Sequence, residues 1–170
     1  MIVIGVDPGL SGGVAAIGDF GAPFLEVMPS IRAANRGVVD PGALARMLRR
    51  FGDDVRRGVE CHAYLEQVHS MPQQGVSSSF KFGRAFGIVE GVLAGLGIPY
   101  TLVTPQRWQK EMLVGTEHGS TKERAAIAAS RLFPDVELRA SERSRKVHEG
   151  LADALLIAEF GRRLQERGQP

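Results

Sequence analysis

The run Met1-Ile-Val-Ile-Gly-Val-Asp7-Pro8-Gly9 constrains the fold most: an apolar stretch stops on a lone carboxylate and passes at once into Leu10-Ser-Gly12-Gly13. The apolar run reads as a strand over residues 1–7. Pro8 pre-sets the backbone, while Gly9, Gly12 and Gly13 reach conformations or close approaches closed to larger residues, so a tight hairpin is expected. The return strand falls over residues 13–18, and a third strand over residues 24–28.

Asp40 and Pro41 supply an N-cap and a first-turn proline for a helix with Leu44, Ala45, Met47, Leu48 and Phe51 on its apolar side. A fourth strand is expected over residues 59–66, then a polar loop to residue 79. Phe80, Phe82, Phe86, Val89, Val92, Leu93 and Leu96 stand near helical spacing, with Gly97 as the stop before a strand over residues 100–103. Helices follow over residues 105–113, 121–132 and 148–165. A hairpin first and alternating strand and helix afterwards define an α/β fold with a sheet of mixed direction and helices packed on it. The 170 residues suit one domain spanning 1–170.

Composition excludes more than it selects. With 44% hydrophobic and 24% charged residues, disorder is not the default. The single cysteine, Cys61, leaves neither an intramolecular disulfide framework nor a cysteine-based zinc cluster, and it reads as a small apolar filler in a strand. No apolar stretch approaches the roughly 18 residues of a membrane span, and no basic segment precedes an apolar one at the N-terminus. A cytoplasmic protein with no membrane partner is expected. The net charge of +2 permits an anionic partner without requiring one.

Two further acids share the setting of Asp7. Glu66 closes the apolar stretch Ala63-Tyr-Leu65, and Asp153 lies inside the helical segment Leu151-Ala-Asp-Ala-Leu155. Carboxylates converging from separate rigid elements suit Mg²⁺, which takes a few protein oxygens and keeps several waters. Glu149 precedes Asp153 by four residues and shares its helix face, which makes it a candidate fourth ligand. His148 opens the same helix as a candidate ligand or proton carrier. Each acid taken alone has a plainer reading: Asp7 as a turn-former, Glu66 as a solvated strand end, Asp153 as a polar helix position, Glu149 as a first-turn acid favoured by the helix dipole.

Taken in order, Asp7-Pro-Gly-Leu-Ser-Gly12, Leu65-Glu-Gln-Val68, Phe82-Gly-Arg-Ala-Phe-Gly87, Pro105-Gln-Arg-Trp108 and Ala152-Asp-Ala-Leu155 resemble the RuvC family of Holliday-junction resolvases across nearly the whole chain. Trp108 and the ending His148-Glu-Gly-Leu-Ala-Asp153 look most like the members found in phages. The resemblance implies an RNase H-like mixed five-stranded sheet flanked by helices, a homodimer, a bacterial or phage-infected cell, and Mg²⁺ or Mn²⁺ held by Asp7, Glu66 and Asp153. It further implies paired nicks in four-way branched DNA, leaving 5′-phosphate and 3′-hydroxyl ends. One departure stands out. Bacterial members carry another acid three residues before the last, where this chain has Gly150, so Glu149 or His148 would have to supply the fourth group.

DNA affinity is expected from cations facing phosphates. Fourteen Lys and Arg residues lie from Phe80 onward against seven before it, and Arg139, Arg143, Arg145 and Lys146 crowd ahead of the last helix. Lys81, Arg84, Lys110, Lys122 and Arg124 are further candidates, Lys122 because it resembles a phosphate-binding lysine of the family. In the loop after Glu66, His69 stands where similar resolvases carry an aromatic wedge, a role open also to Met71 or Phe80. Trp108 reads as a core anchor. The helix over residues 80–96 is the candidate dimer contact, although its small residues suit packing on the protein's own sheet equally. Two other functions share the fold-level pattern: a related nuclease, such as the YqgF type, acting on RNA, hybrid or other branched DNA, and an actin-like nucleotide-binding ATPase that uses Asp7-Pro-Gly for metal and phosphate.

Overall fold

The structure is a computed structural model that describes residues 1–33, 36–67, 75–141 and 143–168. Strands β1 (Ile2–Asp7), β2 (Gly13–Ile17) and β3 (Phe24–Val27) form an antiparallel meander. A separate hairpin of β4 (Ser30–Ala33) and β5 (Arg36–Val39) leads into helix α1 (Pro41–Arg56). Strand β6 (Cys61–Glu66), helix α2 (Val76–Leu96) and strand β7 (Tyr100–Val103) follow, then helices α3 (Pro105–Met112), α4 (Thr121–Leu132) and α5 (Glu149–Glu166). The main sheet has the order β3-β2-β1-β6-β7, with β6 and β7 parallel to β1. This is the mixed five-stranded sheet flanked by helices that the sequence predicts.

Local chemistry explains most boundaries. Asp40 caps α1, its carboxylate accepting from the amides of Gly42 and Ala43 at 2.9 and 3.0 Å, with Pro41 in the first turn. Gly97 ends α2 with φ +70°, a left-handed conformation that glycine reaches without steric cost. Ser120 and Glu123 form a reciprocal capping box at the start of α4. Two features depart from the sequence reading. The β4–β5 hairpin replaces an expected connection, and α2 begins at Val76, so residues 76–79 are helical rather than loop.

Strand alternation divides the core in two. Ile2, Ile4 and Val6 of β1 join Cys61, Ala63 and Leu65 of β6 in a cluster covered by α1 and α2. Val3 and Tyr64 face the other way, into a cluster with α3, α4 and α5. The two-residue period therefore assigns Asp7 and Glu66 to the α5 side. Cys61 is a buried free thiol in β6, the apolar filler expected of it. Among the described residues no helix is long and apolar enough to cross a membrane.

Helix α5 lies directly on β1 and β2, where side chains are missing. A Cβ on Gly5 would overlap the backbone of Ala154 and Ala158, and one on Gly13 would stand 2.8 Å from the Gly150 carbonyl oxygen. Since Gly13 pairs with Asp7, the start of α5 sits above the end of β1, and the helix runs back along that strand. Gly5→Ala is expected to lower stability by about 1–3 kcal/mol, the usual cost of overfilling a packed interior. Urea unfolding followed by circular dichroism measures it, and an unchanged midpoint would show that α5 rides higher than described.

Candidate functional site

Four acids gather at the end of the sheet where β1 and β6 stop. Val6 pairs with Leu65 in parallel register, so Asp7 and Glu66, each one residue further on, lie side by side on the face under α5. Helix α5 brings Asp153 one turn from its start, with Glu149 in its first turn. Three of the carboxylates have an oxygen engaged: Asp7 Oδ1 accepts from the Gly9 amide at 3.0 Å, Glu66 Oε1 from the Trp108 indole at 2.9 Å, and Glu149 Oε2 from Lys122 Nζ at 2.5 Å.

The electrostatics are those of crowded, poorly solvated charge. Asp153 is raised from 3.8 to about 7, first by burial and then by the charges of Asp7, Glu66 and Glu149. Glu66 is raised from 4.5 to about 7 by burial and Asp7, against the lowering effect of the Trp108 bond. Asp7 is raised by burial, with the Gly9 amide, His148 and Lys122 pulling the other way. Glu159 further along α5 makes the contrast plain. Burial alone would raise it too, but hydrogen bonds from Arg162 and Arg163 outweigh that and hold it low. A structural buried acid here has its cations in contact, whereas at the site Lys122 contacts Glu149 and acts on Asp7 and Asp153 only through space.

Among the described residues no three His, Cys, Asp or Glu side chains stand close enough to cage an ion as they are. The acids act on one another through space without closing to ligand distance, as like charges held on a rigid frame do. Their chemistry still suits a hard divalent cation: the donors are carboxylate oxygens, their mutual repulsion is what a cation reverses, and the Lys122 ammonium already sits against Glu149 as a positive stand-in.

Packing holds position 150 to glycine. A Cβ there would overlap the carbonyl oxygen of Ser11 and press on Gly12, because the helix start touches the hairpin turn. No side chain fits at 150 while that turn stays in place, and the neighbouring Glu149 stands in the first turn of the helix. His148 caps α5, its Nδ1 accepting from the Leu151 amide at 3.3 Å, so that nitrogen serves the helix.

The candidate phosphate-binding cations divide into groups. Lys122 and Lys146 line an open recess of about 790 Å³ with Glu149, Ser120 and Val147, directly beside the acids. Lys81 and Arg84 line an apolar recess of about 260 Å³ between α2 and β5, which Leu10 of the turn after Asp7 also borders. Arg143 and Arg145 are exposed in the segment ahead of α5. Lys110 stands apart: it borders a recess with Phe160, Leu164 and Arg167, towards the far end of α5. Arg139 is taken up by Glu137, and Arg124 bonds the carbonyls of Thr116 and Leu113, so both serve local structure. His69 and Met71 lie outside the described residues, and Phe80 is exposed.

Sequence reasoning placed Trp108 in the core, where it is fully buried, but did not find its bond to Glu66. The signal was the immediate succession of β7 and a proline-started helix, which returns the chain over the neighbouring strand end.

No protein-family model matches the chain, and no curated protein matches it by sequence. Solved structures do match. RuvC of Thermus thermophilus is 24% identical with a TM-score of 0.55, over 99% of this chain and 98% of that one. The same protein in complex with a Holliday junction substrate matches at 24% identity and a TM-score of 0.63, over 99% and 96%. The yeast mitochondrial Holliday junction resolvase Ydc2 matches at 14% identity and 0.53, over 97% of this chain and 79% of that one. The chain thus has the RNase H-like fold of these resolvases.

The raised acids set a pH dependence. Folding favours the protonated form of Glu66 and Asp153, so without a bound cation their contribution to stability is complete below about pH 4 and is lost as the pH rises to about 7. Melting of metal-free wild type and Asp153→Asn between about pH 4 and about pH 8 is expected to show the variant gaining Tm over wild type across that window. A difference that does not change with pH would mean that Asp153 ionises without hindrance.

Proposed function

We propose that this chain is a member of the RuvC family, a divalent-metal-dependent endodeoxyribonuclease that resolves four-way DNA junctions by symmetric paired nicks. The observation that carries this reading is the group of Asp7, Glu66 and Asp153 on one face of the resolvase fold, with raised proton affinities and, among the described residues, no arginine paired with them. Asp7, Glu66, Asp153 and Glu149 would hold Mg²⁺, for which Mn²⁺ substitutes. When bound, the metal supplies charge stabilisation at the scissile phosphate and an activated water nucleophile. Water adds to phosphorus, the bond to the 3′-oxygen breaks, and that oxygen takes up a proton, leaving a 5′-phosphate and a 3′-hydroxyl.

The chain's own residues prepare this step. The Glu149 contact raises the Lys122 pKa and keeps the side chain charged, and turning its ammonium from Glu149 to a phosphate would bring the strand to the acids. Lys146 lines the same recess, Arg143 and Arg145 are exposed in the segment just before α5, and Lys81 and Arg84 offer cations in the recess bordered by Leu10 of the turn after Asp7.

Paired nicks need two sites related by two-fold symmetry, and the outer face of α2 is the contact we assign to the dimer. Ala85, Val89 and Leu93 face the protein's own core, whereas a Cβ on Gly83, Gly87, Gly91 or Gly95 would meet nothing within 4 Å. The spacing of four residues puts those glycines on one stripe, open to a second helix.

Incubation of wild type and Asp7→Asn with a synthetic four-way junction and Mg²⁺ tests the proposal. Paired nicks from wild type, and loss of cleavage by at least about 10³-fold in the variant with junction binding retained, are expected. Cleavage of linear duplex or hybrid in preference to the junction would assign the fold to a different nuclease.

A further inference from the structure

Trp108 is the chain's single tryptophan and is fully buried, yet its one polar atom lands on a site acid. The placement follows from the sheet edge. Glu66 pairs with Val103 across β6 and β7, and the Gln67 amide donates to the Val103 carbonyl at 2.7 Å, which keeps the two strand ends level. Helix α3 starts two residues later at Pro105, so Trp108, one turn in, folds back over the end of β6. There the indole packs in the cluster that includes Met112, Leu113 and Leu155.

Filling that space needs only an apolar side chain. The indole adds one donor and no acceptor, and its Nε1–H meets Glu66 Oε1 at 2.9 Å, within the usual range for such a bond. One carboxylate oxygen is thereby fixed and the plane of the group is set. The other oxygen is left to turn towards Asp7 and Asp153.

We infer that Trp108 is a positioning residue: its indole N–H orients Glu66 for the divalent cation and makes the only tryptophan a built-in reporter of metal binding. The inference rests on the metal-dependent reading above. Partners that orient metal ligands typically carry about 10–100-fold of the affinity.

The test uses the full chain without DNA. Mg²⁺ has no absorption of its own in the region of indole emission, so a change in that emission on titration reports Glu66. Calorimetry of wild type and Trp108→Phe is run alongside the emission titration. The expected result is an emission change with the midpoint of the heat signal, absent in Glu66→Gln, and binding about tenfold weaker in Trp108→Phe with an unaltered far-ultraviolet circular dichroism spectrum. Equal affinity in the folded Phe variant, or constant emission while calorimetry records binding, overturns the positioning role and leaves the nuclease reading standing. A wild type that takes up no Mg²⁺ overturns both. If the variant does not fold, the wild-type emission titration alone decides.

Discussion

The seating of α5 on bare backbone is the constraint from which the rest of this structure follows. At Gly5, Gly13 and Gly150 the helix and the first two strands meet without intervening side chains. That closeness brings Asp153 down to the level of Asp7 and hides much of the helix, from Leu151 to Phe160, in the core. Were either surface to carry ordinary side chains there, the helix would stand off and the acid would hang in solvent. Strand parity supplies the other half, since it turns Asp7 and Glu66 to the side on which the helix lies.

The frame holds unfavourable charge in place. Raised proton affinities at Asp7, Glu66 and Asp153 report that ionising them together is costly, and the sheet and helix do not relax to relieve it. The fold deals with its other buried acid, Glu159, by surrounding it with arginines. The difference between those two solutions on one helix separates a charge the fold neutralises from one it leaves largely uncompensated.

The strands and helices of the main sheet were legible because each carried a strong local signal: the apolar run before Asp7, the Asp40-Pro41 start, the stop at Gly97. The β4–β5 hairpin was not, because its strands are only four residues long and offer too little periodicity to stand out. The early start of α2 was obscured by Ser77-Ser-Ser79, poor helix formers that the long packed face of the helix carries along. The acids could be picked out as strand-end and helix residues, but their crowding could not, since it depends on glycine contacts between segments over a hundred residues apart. The Trp108 bond was hidden for a related reason. An indole in a core and an indole whose tip touches a carboxylate have the same sequence signature, and 42 residues separate the partners.

The contact between Gly150 and the Ser11–Gly12 turn ties the loop after β1 to the first turn of α5. Any side chain at 150 would push that turn away, so the hairpin and the helix start can change only in concert.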